Sequence, residues 1–200
     1  MSALIISGGD YAPYEDSPCD LVIACDRGYL YAERMGIRPD LILGDFDSAP
    51  VPDGSIPFEQ FPVCKDDTDT LLAVKKALSL GHREITVACA FGGRLDHTVA
   101  NLQAAAYAAE HQALVRLLGP DTRACVFRDR SVCFPRQEGY SLSVFSLTDT
   151  CAVSIAGAEY ECKDMAIRST FPIGISNAWA SGEAFVTAKD GIVMVMESKL

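Results

Sequence analysis

Basic charge is scarce in this 200-residue chain, where 17 Lys and Arg face 27 Asp and Glu for a formal net charge of −10. That balance argues against nucleic acid or an anionic membrane surface as the main partner. A small anion still fits an acidic protein if metals or local donors neutralise its site. No apolar run is long enough to span a bilayer. The opening residues lack the basic start and long apolar stretch of a signal peptide, so a reduced, cytoplasmic chain is expected. The eight cysteines include no C-x-x-C pair and no spacing with histidine that suits a metal. Cys25, Cys89 and Cys125 sit inside apolar runs, where a free thiol behaves as a small buried hydrophobe. Walker loops and G-x-G-x-x-G are missing, so the usual nucleotide motifs do not apply. Internal repeats and low-complexity tracts are missing too.

What is present is enough apolar material for a real core, 49% of the chain. Short apolar runs at 3–7, 21–25, 41–43, 84–91 and 113–118 read as strands. Helical patterns fall between them, at 68–80 and 96–111 and in the stretch ending near Arg34, with Gly36 and Gly81 as stops. The segment 48–62 carries four prolines and reads as a loop. Strands alternating with helices imply βαβ units and a mainly parallel sheet. Beyond Pro120 the pattern turns to short β-like runs, at 124–127, 140–146, 152–155, 184–188 and 192–196. The last two flank Lys189-Asp190-Gly191, a hairpin signal. The expected fold class is α/β: a Rossmann-like mainly parallel sheet with flanking helices over 1–122, then a small all-β sandwich domain over 123–200. The second part is near the lower size limit for folding alone. It is therefore expected to lean on the first domain or on another subunit.

The chemistry gathers at the ends of the apolar runs. Asp45 and Asp47 follow Gly44, and residues two apart in extended chain face one side, so both reach one cation. The plain alternative is a solvated turn. Asp66, Asp67 and Asp69 cluster before a helix, more acid than capping a helix dipole requires, and Lys65 beside them offers a point charge to a phosphate. Gly92-Gly93-Arg94-Leu95-Asp96-His97 joins a strand to a helix start. Its free backbone N–H groups suit an anion, and Arg94 can grip a phosphate with two donors. The plain alternative is a tight turn capped by Asp96. Trp179, the one tryptophan, lies in a polar loop with Ser176 and Asn177. Composition alone favours a core role for it, whereas an open loop position would let it stack on a flat cationic ring.

Taken in order, these segments resemble the thiamine pyrophosphokinase (thiamine diphosphokinase) family. The resemblance rests on Cys25-Asp26-x-Gly28, Gly44-Asp45-Phe46-Asp47-Ser48, Asp66-x-Thr68-Asp69, Gly92 through His97, and Ser176-Asn177 shortly before the final strands. It implies transfer of a pyrophosphoryl group from ATP to the thiamine hydroxyl, with Mg²⁺, release of AMP, and a homodimer that binds thiamine between subunits. By the same resemblance Asp45, Asp47 and Asp69 are the metal-binding and catalytic acids. Asp26, Lys65, Asp66, Thr68, Gly92, Gly93, Arg94 and Asp96 fall where the nucleotide is handled, and Ser176, Asn177 and Trp179 where thiamine is bound. Arg27 departs from the pattern, taking a place commonly held by glycine. Two other readings are a metal-dependent phosphohydrolase, which also uses D-x-D after a strand, and a non-catalytic nucleotide or thiamine sensor.

Overall fold

The five apolar runs of the first half become parallel strands, and a sixth strand joins them at the edge. The computed structural model describes residues 1–15, 18–46, 50, 55–62 and 66–200. The chain divides into two compact units, Met1–Pro120 and Asp121–Leu200. In the first, the elements run β1 (Ser2–Ile6), β2 (Leu21–Cys25), α1 (Gly28–Met35), β3 (Leu41–Gly44), β4 (Phe58–Gln60), α2 (Asp69–Ser79), β5 (Glu84–Ala88), α3 (Leu95–Glu110) and β6 (Leu114–Leu118). Their spatial order is β4-β3-β2-β1-β5-β6, and every pairing is parallel. Central strands of such a sheet are covered on both faces, which is why β1 and β2 read as unbroken apolar runs. The small side chains Ala104, Ala105, Ala108 and Ala109 form the buried stripe of α3.

The chain order sets the binding place. From β1 the sheet grows one way through β2, β3 and β4, then the chain returns to the other side of β1 as β5 and continues to β6. The reversal leaves a crevice at the carboxyl ends of β1 and β5, where open α/β sheets take their ligands.

Two expectations for this unit need correction. Residues 58–60, read as loop, form the edge strand β4, with Ile42 donating to the Pro57 carbonyl and Phe61 to that of Gly44. Pro57 and Pro62 flank the strand rather than interrupt it, and an edge tolerates the prolines nearby. The strand expected over 84–91 stops at Ala88, because Cys89 turns the chain with a left-handed φ of 55°.

The second unit holds β7 (Thr122–Arg128), β8 (Ser131–Pro135), β9 (Tyr140–Ser146), β10 (Thr150–Ala156), β11 (Cys162–Arg168), β12 (Glu183–Lys189) and β13 (Ile192–Lys199), and no helix. Strands β7-β13-β9 are hydrogen-bonded antiparallel neighbours, as are β11-β10-β12-β8. The expected hairpin of the last two strands does not form. β12 pairs with β10 and β8, whereas β13 pairs with β7 and β9. Asp190, at φ 59°, turns the chain out of one sheet and into the other, and Asp129, at φ 47°, does the same between β7 and β8. The paired strands therefore bend together at a corner, with Ala188 donating to the Arg130 carbonyl at 2.9 Å. Gly191 is required there, since a Cβ would lie 2.5 Å from Thr148 Oγ1.

Candidate active site

The crevice between β1 and β5 opens into a cavity of ≈ 650 Å³. Its walls come from strand ends, because each strand stops with a turn that leaves polar groups facing outward. Ser7 and Gly8-Gly9 follow β1, Asp26 and Arg27 follow β2, Asp45 follows β3, Thr68 and Asp69 open α2, and Gly92-Gly93-Arg94 follow β5. Sequence-predicted Asp26, Asp45, Thr68, Asp69, Gly92, Gly93 and Arg94 thus share one site. Asp66 and Asp96 are exposed and do not line the cavity. Asp47 and Lys65 lie outside the described residues.

Close backbone approach builds these walls. The segment after β1 keeps pairing with the segment after β5: Ser7 N–H donates to Ala88 O, Gly9 N–H to Cys89 O and Asp10 N–H to Phe91 O, at 2.9, 2.9 and 2.7 Å. At Gly9 a Cβ would sit 2.3 Å from the Phe91 carbonyl oxygen, so no larger residue fits. Gly92, at φ 89°, would place a Cβ 2.0 Å from Asp10 Oδ2. Left-handed non-glycine residues stand at three strand ends around the site, Asp26, Phe46 and Cys89, with φ of 45°, 57° and 55°. Such conformations persist only where surroundings impose them, and they gather at functional sites. Here Asp26 N–H donates to Leu43 O at 2.7 Å, and buried Asn101 donates from Nδ2 to Ala90 O at 2.8 Å.

The charged side chains have distinct settings. Arg94 and Asp96 form a two-point ion pair with each other, Nε to Oδ1 at 3.1 Å and Nη2 to Oδ2 at 2.5 Å, both largely exposed. The hydrogen bond from Arg94 holds the Asp96 carboxyl below the usual carboxylate range. Asp67 pairs with Lys75 at 2.6 Å. The Thr68 hydroxyl accepts from Leu71 N–H at 3.2 Å, so it caps α2 while lining the cavity. Arg27 donates from Nε to Gly8 O at 2.9 Å and from Nη2 to Gly9 O at 3.4 Å. The sequence marks Arg27 only as a departure from the family pattern beside Asp26, which could alter nucleotide fit, and does not place the Gly8-Gly9 turn in the site. The glycine pair closing the first apolar run was the available signal. Among the described residues, no group of three or more His, Cys, Asp or Glu side chains could hold a metal ion.

In the second unit, Ser176, Asn177 and Trp179 lie on the segment before β12. Ser176 is exposed, with φ 58°, and its N–H donates to Ser143 Oγ at 3.0 Å. Asn177 is buried and hydrogen-bonded through both amide atoms: Nδ2 donates to Tyr160 O at 2.9 Å, and Oδ1 accepts from Tyr160 and Ala178 N–H. Trp179 is only 6% exposed, and its indole N–H donates to Phe134 O at 2.8 Å. The core role that composition favours for this ring matches its burial.

Comparison with known proteins supplies the family. A family model described as the catalytic domain of thiamin pyrophosphokinase matches residues 15–117, more than half of the chain. Curated protein sequences gave no match. Among solved structures, thiamine pyrophosphokinase from Bacillus subtilis is similar at 23% identity and TM-score 0.87, covering 100% of this chain and 99% of that one. A thiamin pyrophosphokinase family protein from Enterococcus faecalis is similar at 25% identity and TM-score 0.81, with complete coverage of both chains. Thiamin pyrophosphokinase from Candida albicans is similar at 15% identity and TM-score 0.77, covering 99% and 89%. Where identity falls below 25%, the likeness concerns the fold, and the family assignment rests on the matched catalytic domain. With that domain containing the ends of β2, β3 and β5 and the start of α2 that line the cavity, the chain belongs to the thiamin pyrophosphokinase family.

Proposed function

We propose that this family member transfers the pyrophosphoryl group of ATP to the hydroxyl of thiamine in an Mg²⁺-dependent reaction, giving thiamine diphosphate and AMP. One observation carries the reading. Asp26, Asp45 and Asp69, delivered by three different element ends, line the same cavity as the Gly92-Gly93 turn. Carboxylates of the kind a hard cation binds and backbone amides of the kind a phosphate binds thus line one crevice, which supports the reading.

The donor set suits Mg²⁺, which binds through one or two carboxylates together with substrate phosphates rather than in an all-protein cage. Asp45, Asp47 and Asp69 would hold it, and when bound it neutralises triphosphate charge. The chain's own residues do the positioning. The Gly92 and Gly93 amides, Arg94 and Lys65 hold phosphates, Asp26 and Thr68 orient the nucleotide from the cavity wall, and Asp66 and Asp96 act on it from outside that lining. For Arg94 this means exchanging Asp96 for a phosphate, a like-for-like swap of anionic partners. The thiamine hydroxyl must approach the β-phosphorus in line with the departing AMP oxygen, so orientation supplies most of the rate. One of the three metal-site aspartates takes the hydroxyl proton.

Thiamine is assigned to the second unit, at Ser176, Asn177 and Trp179, in a homodimer that binds it between subunits. Ser176 is the exposed member of this segment, and the buried Trp179 ring and hydrogen-bonded Asn177 amide hold the segment from behind. In the finer fold reading, a Rossmann-like ATP domain over 1–122 precedes a β-sandwich over 123–200. The proposed compartment is the cytoplasm.

The test is incubation with thiamine, ATP and Mg²⁺, followed by chromatography of thiamine phosphates and adenine nucleotides. Thiamine diphosphate and AMP in equal amounts are expected. Phosphate released without AMP would replace this reading with a phosphohydrolase, and ligand binding without turnover would replace it with a sensor.

A further inference from the structure

Arg27 and Arg94 are the arginines and lysines that line the cavity among the described residues, and they differ in kind. Arg94 is exposed and already forked onto Asp96. Arg27 is half-buried and locked from behind. Its Nε and Nη2 donate to the carbonyls of Gly8 and Gly9, and its guanidinium lies 5.8 Å from the Tyr31 ring centroid. Tyr31 is itself fixed, with its hydroxyl on Gly9 O at 3.1 Å and Tyr11 packed edge-on at 5.5 Å. Tyr11 in turn carries the Arg34 guanidinium at 3.7 Å from its centroid.

This arrangement has two electrostatic effects. The two carbonyls after β1 point acceptor dipoles near a cavity lined by Asp26, Asp45 and Asp69, and Arg27 offsets them. A guanidinium also has five N–H donors in a rigid fork, and two are used on Gly8 and Gly9. We propose that Arg27 is an anion-holding residue of this cavity: its guanidinium, fixed by the Gly8-Gly9 carbonyls and Tyr31, offers its remaining donors to the phosphate chain of the nucleotide. Because the group is already ordered, little side-chain freedom is lost when the anion arrives. The inference rests on the proposed ATP site and adds a residue to it.

The experiment measures binding of ATP with Mg²⁺, and of inorganic triphosphate, by calorimetry without thiamine, for wild type, Arg27→Gln and Arg27→Lys. Melting temperature is recorded for each. Arg27→Gln should weaken both ligands by about tenfold or more, the loss of one charge-assisted contact. Arg27→Lys, which keeps the charge but not the fork, should fall between wild type and Arg27→Gln. Unchanged affinity in Arg27→Gln would overturn the proposal. So would equal loss in both variants accompanied by a lowered melting temperature, because that pattern marks a purely structural brace. A wild type that binds ATP here yet forms no thiamine diphosphate when thiamine is supplied in the turnover assay would sink the reaction while leaving the Arg27 result readable.

Discussion

At the scale of single residues, the cavity acids do a job that leaves little trace in stability. Asp45 and Asp69 stand at element ends and line a solvent-accessible cavity, not the core. Exchanging either for Asn keeps the volume and removes the charge. Asp45→Asn and Asp69→Asn should therefore lower turnover by about two orders of magnitude or more, the usual scale for losing a preorganised electrostatic contact. The melting curve should stay near that of wild type. Steady-state rates at saturating Mg²⁺ and ATP, read beside thermal melts, check both halves, and near-normal activity in either variant would defeat the metal assignment. These aspartates were legible in the sequence because each directly follows an apolar run or precedes a helix, so topology alone puts them at one edge of the sheet. For Arg27 the sequence marked only a departure from the family pattern, since its partners lie in the loop after β1 and only the fold brings them within reach.

At the scale of elements, the segment before β12 behaves as part of the second unit's core. Trp179 fills buried space, bonds to Phe134 O and forms an isolated bridge with Ala158. Trp179→Ala should destabilise by about 3–5 kcal/mol, the range for emptying a buried aromatic site. Trp179→Phe should lose less, keeping most of the volume and leaving one carbonyl without its donor. Chemical denaturation followed by circular dichroism would measure both, and an unchanged midpoint in Trp179→Ala would contradict the core role. Helices were the most readable elements: the apolar spacing and Thr68 gave α2 nearly to its ends. Strand partners were less so. The turn at Lys189-Asp190-Gly191 has hairpin chemistry, yet local sequence says only that the chain turns. Which neighbour each strand meets is set by the corner, where Asp129 and Asp190 turn both chains together.

At the scale of the whole molecule, pH acts on the fold in opposing directions. The carboxyls of Asp20, Asp96 and Asp164 are lowered, by a backbone hydrogen bond at Ser2, by Arg94 and by Lys189 respectively. Their contribution is present above the unfolded carboxylate pKa and fades as pH falls. Glu197 on β13 runs the other way, because burial raises its carboxyl and Arg123 only partly offsets the rise. A raised acid favours the folded state while protonated, so its ionisation erodes stability as pH climbs from about 4.3, the unfolded glutamate value, through the folded one. Glu197→Gln should thus match wild type below pH ~4 and become the more stable protein toward neutrality. Denaturation midpoints across that range test it, and a difference independent of pH would contradict it. The position of β13 carries one more consequence. Although last of the strands in chain order, it is the middle strand between β7 and β9. On a translating ribosome, every strand of the first unit emerges before it, and so do both of its own neighbours. Strands β7 and β9 must then wait, edges unpaired, until the residues of β13 clear the exit tunnel. That interval is the one in which a nascent chain is most open to chaperones and to mispairing with other chains.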